Sequence, residues 1–160
     1  MSELSIGAPA PDFTLPAEPS GHVTLSSLKG QAVVLYFYPK DSTPGCTTES
    51  CDFRDREAAL RAAGALVFGI SRDSLKSHAN FRAKQALGFP LLSDADGEVH
   101  RAYGAWGEKT MYGRTSVGAV RTTVLVDAEG RVAQVWSPVK VAGHAEAVLQ
   151  AAHALSGTRG

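Results

Sequence analysis

Two runs of the chain are apolar at nearly every position: "AVVLYFY" at 32–38 and "ALVFGI" at 65–70. Continuous apolar segments of this length, rich in β-branched and aromatic side chains, mark strands buried on both faces. Pro39 ends the first run, and Gly64 stands just before the second. The segment between them predicts a helix from about Pro44 to Ala63, closed by Gly64. After the second run, "SLKSHANFRAKQAL" places Leu75, Ala79, Arg82, Ala83 and Leu87 along one helical stripe, ended by Gly88. "PLLSD" reads as a short strand, "DADG" as a turn and "EVHRAYGAW" as a short helix. "GEKTMYGRTSVG" has no periodicity and reads as a loop. "VRTTVLV", "DAEG" and "RVAQVW" make a hairpin signal. The last helix, "VAGHAEAVLQAAHAL", lines up Val141, Ala145, Val148, Leu149, Ala152 and Leu155, with Gly157 as its cap.

Ahead of the first buried run, "IGAPAPDFTLPAEPSG" reads as an extended arm with strand pieces, and "HVTL" as its hairpin partner. "LSSLKGQ" reads as a turn of helix stopped by Gly30. Alternating helices and strands followed by an antiparallel hairpin imply an α/β sandwich around a central mixed sheet. No repeat, low-complexity tract or linker divides the chain, so a single domain over 1–160 is expected.

At 160 residues the chain is long enough for one domain with a substantial core. Sixteen basic and sixteen acidic side chains cancel, so total charge gives no reason to expect binding to nucleic acid or to a membrane surface. The opening "MSELSIGAPAPDF" lacks the basic and apolar segments of a signal peptide, and no apolar run is long enough for a bilayer span. A cytoplasmic location is expected. In that reducing compartment, two cysteines point to catalysis or metal binding rather than to a structural staple.

Those two thiols, Cys46 and Cys51, lie in "YFYPKDSTPGCTTESCDFRD". Thr43 suits a helix N-cap and Pro44 the first helical position, which makes Cys46 the third residue of the helix. That slot favours an anion, because free N–H groups and the positive end of the helix dipole converge on it. Such positions stabilise thiolate. Gly45 leaves room beside the sulfur, and the Thr43 hydroxyl is placed to bond either the sulfur or a substrate. Residues five apart in a helix have Cα atoms about 8.7 Å apart, whereas a disulfide needs less than about 7 Å. The pair is therefore either two free thiols in a helix or a disulfide in an unwound segment, a redox switch with two discrete states. The spacing is not that of a dithiol reductase motif, and His22, His78, His100, His144 and His153 do not complete a known zinc cluster with the cysteines. Arg121, at the start of a predicted buried strand, needs an anionic partner there, and a structural ion pair or a place in the site would each supply one. Glu49 follows Cys46 by three residues and shares its helix face.

"YPKDSTPGCTTESC" closely resembles the Pro-x-x-x-Thr-x-x-Cys motif of peroxiredoxins, filled by Pro39, Thr43 and Cys46. The second cysteine and the following "DFRD" resemble the bacterioferritin comigratory protein, or Q-type, branch. So do "GAPAPDFTL", "GISRDSLKSHANF", "PLLSD", "YGAWGEKTMYG" and "RTTVLVD". The resemblance implies a thioredoxin-like fold with an N-terminal β-hairpin extension. It implies Cys46 as the peroxidatic thiol, Cys51 as the resolving thiol in an intrachain disulfide, Arg121 as the substrate-orienting cation and Glu49 as its partner. The implied activity is reduction of hydrogen peroxide and organic hydroperoxides, with no cofactor, recycled by thioredoxin or a similar dithiol donor. A monomer is compatible with it. Three rival readings are a thioredoxin-like disulfide reductase or isomerase, a redox-regulated binding module, and a copper- or zinc-binding chaperone.

Overall fold

The computed structural model describes residues 4–111 and 113–158. Its strands are β1 (Thr14–Glu18), β2 (His22–Thr24), β3 (Ala32–Phe37), β4 (Ala65–Ser71), β5 (Leu91–Ser93), β6 (Trp106–Met111), β7 (Arg114–Ala119), β8 (Thr122–Val126) and β9 (Val132–Trp136). Its α-helices are α1 (Pro44–Ala62), α2 (Leu75–Gln85), α3 (Glu98–Ala102) and α4 (His144–Thr158). A short 3-10 helix covers Leu25–Leu28.

Seven strands form a mixed sheet in the order β2-β1-β5-β4-β3-β8-β9. The two apolar runs become its centre, with β3 parallel to β4 and β4 parallel to β5. β8 lies antiparallel to β3, and the β8–β9 hairpin closes that edge. The N-terminal hairpin does not stand apart. β1 pairs antiparallel with β5 through Ala17↔Leu92 and Glu18↔Leu91, carrying the hairpin onto the other edge.

Because successive side chains of a strand point to opposite faces, β3 feeds two cores. Val34 and Tyr36, with Tyr38 just beyond, pack with Phe53 and Leu60 of α1, Phe81 of α2 and Val148 and Leu149 of α4. Val33, Leu35 and Phe37 pack on the other face with Phe13, Leu25, Ile70 and Tyr103. The crossovers β3–α1–β4 and β4–α2–β5 step in the same direction along the sheet, which puts both helices on one face. Gly69 makes room for this packing, since a Cβ there would lie 2.8 Å from the Tyr36 hydroxyl and 2.7 Å from Leu91 Cδ2.

The structure corrects several expectations. The segment "GEKTMYGRTSVG" is not a loop, because β6 and β7 pair antiparallel from Trp106↔Ala119 to Met111↔Arg114. Arg114, Thr115, Ser116 and Val117 are exposed, so β7 has little buried face to imprint a period of two on the sequence. The helix read through "EVHRAYGAW" stops at Ala102, and Trp106 belongs to β6. The stripe assigned to α2 is also different. Leu75 is 38% exposed and Ala83 is exposed, while His78 and Phe81 are buried. A polar residue occupies that face because its hydrogen bonds are met inside the protein, as described below. α2 ends not at Gly88 but at Gln85, and its C-cap Ala86 adopts the left-handed conformation (φ 54°). The buried Leu87 follows it and donates its N–H to the Arg82 carbonyl. α4 runs through Gly157 to Thr158 rather than being capped there.

Candidate active site

α1 begins as its sequence dictates. Thr43 is the N-cap with extended backbone, and Pro44 is the first helical residue. The Thr43 carbonyl accepts the first helical bond, from Thr47 N at 2.8 Å. Its hydroxyl does not cap the helix. It donates to the Lys40 carbonyl at 2.8 Å and so braces the loop leading into α1. That leaves the Gly45 and Cys46 amides, which have no intrahelical acceptor by their position in the first turn. Cys46 is third in the helix and only 1% exposed. Pro39 and Thr43, both half-buried, flank it along the chain.

Arg121 immediately precedes β8, and its guanidinium reaches the start of α1. Nη1 lies 3.4 Å from Cys46 Sγ and 2.7 Å from Glu49 Oε1. The cation required by the buried position thus has its anion, and a thiol shares the same nitrogen. Gly45 accommodates this crossing, since a Cβ there would lie 3.2 Å from Arg121 Nη2. The space beside the sulfur read from the sequence is thus taken in part by the guanidinium.

Glu49 is buried, and its second carboxylate oxygen, Oε2, has no hydrogen-bond partner among the described residues. Burial pushes its carboxyl up to about 7, against the pull of the Arg121 charge. Burial alone would lower the Arg121 guanidinium, but Glu49 and Cys46 outweigh it and the group stays cationic. The helix terminus and the guanidinium converge on the Cys46 sulfur and offer donors to an oxygen atom approaching it.

Cys51 is half-buried on the next turn of the same helix. Both cysteines are free thiols. The structure therefore shows the helical, reduced arm of the two alternatives. Among the described residues, no group of three or more His, Cys, Asp or Glu is placed to hold a metal ion, and no helix is long and apolar enough to cross a membrane.

A polar network behind the loop carries no signal in the sequence. Asp41 accepts from the Tyr38 hydroxyl at 2.6 Å and from Ser77 Oγ at 2.8 Å, and its Oδ2 lies 2.7 Å from His78 Nδ1. The other ring nitrogen of His78 lies 2.9 Å from the Leu92 carbonyl. The Asp41 amide donates to Asp73 at 2.9 Å. These bonds fasten the 39–43 loop to α2 and β5, which explains the buried His78. Apart from Tyr38, the partners lie more than thirty residues from Asp41, a distance no local motif reveals.

The sequence model of the AhpC/TSA family matches residues 6–135. The chain is 51% identical over 158 residues to peroxiredoxin Bcp of Xanthomonas campestris pv. campestris, covering 96% of this chain and 99% of that one. It is 43% identical over 147 residues to peroxiredoxin Bcp of Bacillus subtilis, covering 92% and 94%. Among solved structures, Xanthomonas campestris peroxiredoxin Q superposes with a TM-score of 0.88 at 48% identity, covering 96% of this chain and 97% of that one. The bacterioferritin comigratory protein of the same organism, solved as trapped intermediate and ligand complexes bearing on its alkyl peroxide reduction, gives a TM-score of 0.88 at 48% identity, covering 96% and 98%. These neighbours have the thioredoxin fold of peroxiredoxins, and the chain belongs to the AhpC/TSA family as a peroxiredoxin, a thiol-dependent peroxidase.

Proposed function

We propose that this peroxidase works through Cys46 as the peroxidatic thiol and Cys51 as the resolving thiol, with Arg121 and Thr43 at the reacting oxygens. Glu49 orients Arg121, and Pro39 shapes the loop entering the site. The single observation that supports this most is the shared contact of Arg121 Nη1 with Cys46 Sγ and Glu49 Oε1. Cys46 thiolate attacks one oxygen of a hydroperoxide and the O–O bond breaks. The sulfur keeps one oxygen as a sulfenic acid, and the other departs as hydroxide or alkoxide and takes up a proton. The guanidinium and the Cys46 amide stabilise charge on those oxygens, and the Thr43 hydroxyl joins them by turning away from the Lys40 carbonyl.

Cys51 then attacks the sulfenic sulfur. A disulfide forms, the S–O bond breaks, and the oxygen leaves with two protons as water. A dithiol protein of the thioredoxin kind restores both thiols by exchange. The enzyme acts in the cytoplasm as a single domain over 1–160, and with every proposed site residue on one chain a monomer is compatible with the mechanism.

Peroxide consumption coupled to a thioredoxin reducing system tests this on the intact protein and two variants. Cys46→Ser is expected to be inactive. Cys51→Ser is expected to react once and stop as a sulfenic acid, then to depend on an added thiol. Normal turnover by Cys46→Ser with none by Cys51→Ser reverses the two roles.

A further inference from the structure

The second cysteine is held in place by residues that do not belong to the Cys46–Arg121–Glu49 cluster. The Cys51 thiol donates to Gln85 Oε1 at 3.5 Å. Three residues on, Arg54 Nη1 donates to the Gln85 carbonyl at 2.8 Å, and Arg54 Nε pairs with Asp55 Oδ1 at 3.0 Å. The last residue of α2 thus grips α1 at two points, one of them the thiol itself. On the sheet side, Ser50 Oγ lies 2.8 Å from the Tyr36 hydroxyl, with both groups buried. The segment that must move to bring the cysteines together is therefore tied on both flanks.

We infer that Gln85 is a positioning residue for the resolving step. It retains Cys51 in the folded helix while Cys46 meets peroxide, and its release limits the rate at which the disulfide forms. The inference rests on the reading of Cys51 as the resolving thiol. An S–H group is a donor, and the side-chain oxygen of Gln85 is its acceptor. In the resolving step Cys51 gives up that proton as its sulfur bonds to Cys46, while the sulfenic oxygen leaves as water. The peroxide's oxidising equivalents are already on Cys46, so no further oxidant is required. The disulfide sulfur has no proton left to donate, so the bond to Gln85 exists only before resolution. An interaction present in the ground state and absent afterwards slows the step that breaks it.

Two substitutions separate this from a general packing role, because they move the rate in opposite directions. Gln85→Ala removes the acceptor and keeps a good helix former. Gln85→Glu places a charged acceptor against the thiol, one that accepts more strongly. Reduced protein is mixed rapidly with peroxide, and sulfenic acid and disulfide are followed by quenched-flow mass measurement. In Gln85→Ala the peroxide step is expected to be unchanged, and disulfide formation about two- to three-fold faster, the equivalent of one weak hydrogen bond from a thiol. More peroxide should then be needed to drive Cys46 to sulfinic acid. In Gln85→Glu disulfide formation is expected to be slower by about the same factor, with more sulfinic acid formed. Unchanged or slower resolution in Gln85→Ala, or faster resolution in Gln85→Glu, overturns the assignment of Gln85 alone. Absence of an intrachain Cys46–Cys51 disulfide in the unmodified protein removes the resolving role of Cys51, and the inference with it.

Discussion

Arg121 Nη1 stands 3.4 Å from Cys46 Sγ, a contact made across 75 residues of chain. The reach depends on the central sheet. β3 delivers the chain to the start of α1, and β8 lies beside β3 with Arg121 at the same end. Replacing Arg121 with Ala is expected to lower the rate of Cys46 with peroxide by about a hundred-fold, the usual consequence of losing one donor at a developing oxyanion. Arg121→Lys should recover only part of this, since an ammonium is a point charge that lacks the planar guanidinium's second nitrogen, Nη2, over Gly45. The second-order rate from competition with a reporter peroxidase measures both. An unchanged rate in Arg121→Ala returns the residue to a purely structural ion pair.

Gly45 tests the same geometry from the other side. At the second position of a helix, Gly→Ala removes backbone freedom and favours the helix by up to about 1 kcal/mol. Here the added methyl would meet Arg121 Nη2 at 3.2 Å. Gly45→Ala is therefore expected to leave thermal stability equal or higher while slowing the peroxide step about ten-fold, because a small displacement of an oriented group is costly. A rate that rises or holds along with stability shows that the guanidinium tolerates the shift.

The reacting half of this site is legible in the sequence because its cause is local. "TPGC" fixes a helix start, and a helix start fixes the surroundings of Cys46. Glu49 follows from the spacing of a helix face. From its own surroundings in the sequence Arg121 reads only as a cation in need of an anion, since its partners come from the sheet order, and the family resemblance alone places it at the thiol. Asp41, His78 and Gln85 were not legible at all. Each acts through a residue more than thirty positions away, as in His78 to Asp41 and Gln85 to Cys51. The same holds for the fold. The two doubly buried runs announce β3 and β4, whereas β7, exposed from Arg114 to Val117, leaves no periodic trace.

Two buried groups shape the pH dependence of stability in opposite directions. Glu49 is raised from 4.5 to about 7. Between those values the folded protein holds a proton that the unfolded chain has released, so stability falls as pH rises. His144 is lowered from 6.5 to about 4 by burial and, secondarily, by the Arg121 charge. Between those values the unfolded chain takes up a proton that the folded protein refuses, so stability falls as pH drops. The two slopes oppose each other through the shared part of their windows. Asp12, Asp94 and Glu146 are lowered and act at more acid pH. Glu49→Gln removes one slope and exposes the other. Urea unfolding is expected to show little change from these two groups between pH 5 and 6.5 in the unmodified protein. The variant should lose about 1 to 2 kcal/mol over that range, given about 1.4 kcal/mol per unit at most. A flat profile in Glu49→Gln shows that His144 is not held neutral.

The final prediction concerns α1 itself. The helix is unbroken from Pro44 to Ala62 while both cysteines are free. In that form Phe53 is fully buried, stacked on Tyr36 at 4.8 Å between ring centroids and edge-on to His144 at 5.9 Å. An intact helix keeps the two Cα atoms about 8.7 Å apart, too far for a disulfide, so oxidation has to take helix out of "GCTTESC". The same movement pulls Ser50 from Tyr36 and loosens Phe53, at the cost of a buried hydrogen bond and part of an aromatic contact. The reduced protein is therefore expected to be the more stable state. Amide exchange between about Pro44 and Arg56 should be at least roughly ten-fold faster after oxidation, and protease cleavage should concentrate there. The bond itself should form within one chain, because closing so short a loop costs little entropy. Exchange mass spectrometry of both redox forms, with a non-reducing gel beside it, measures each part. Equal protection in the two forms, or a disulfide found only between chains, means that Cys51 does not resolve Cys46 of its own helix.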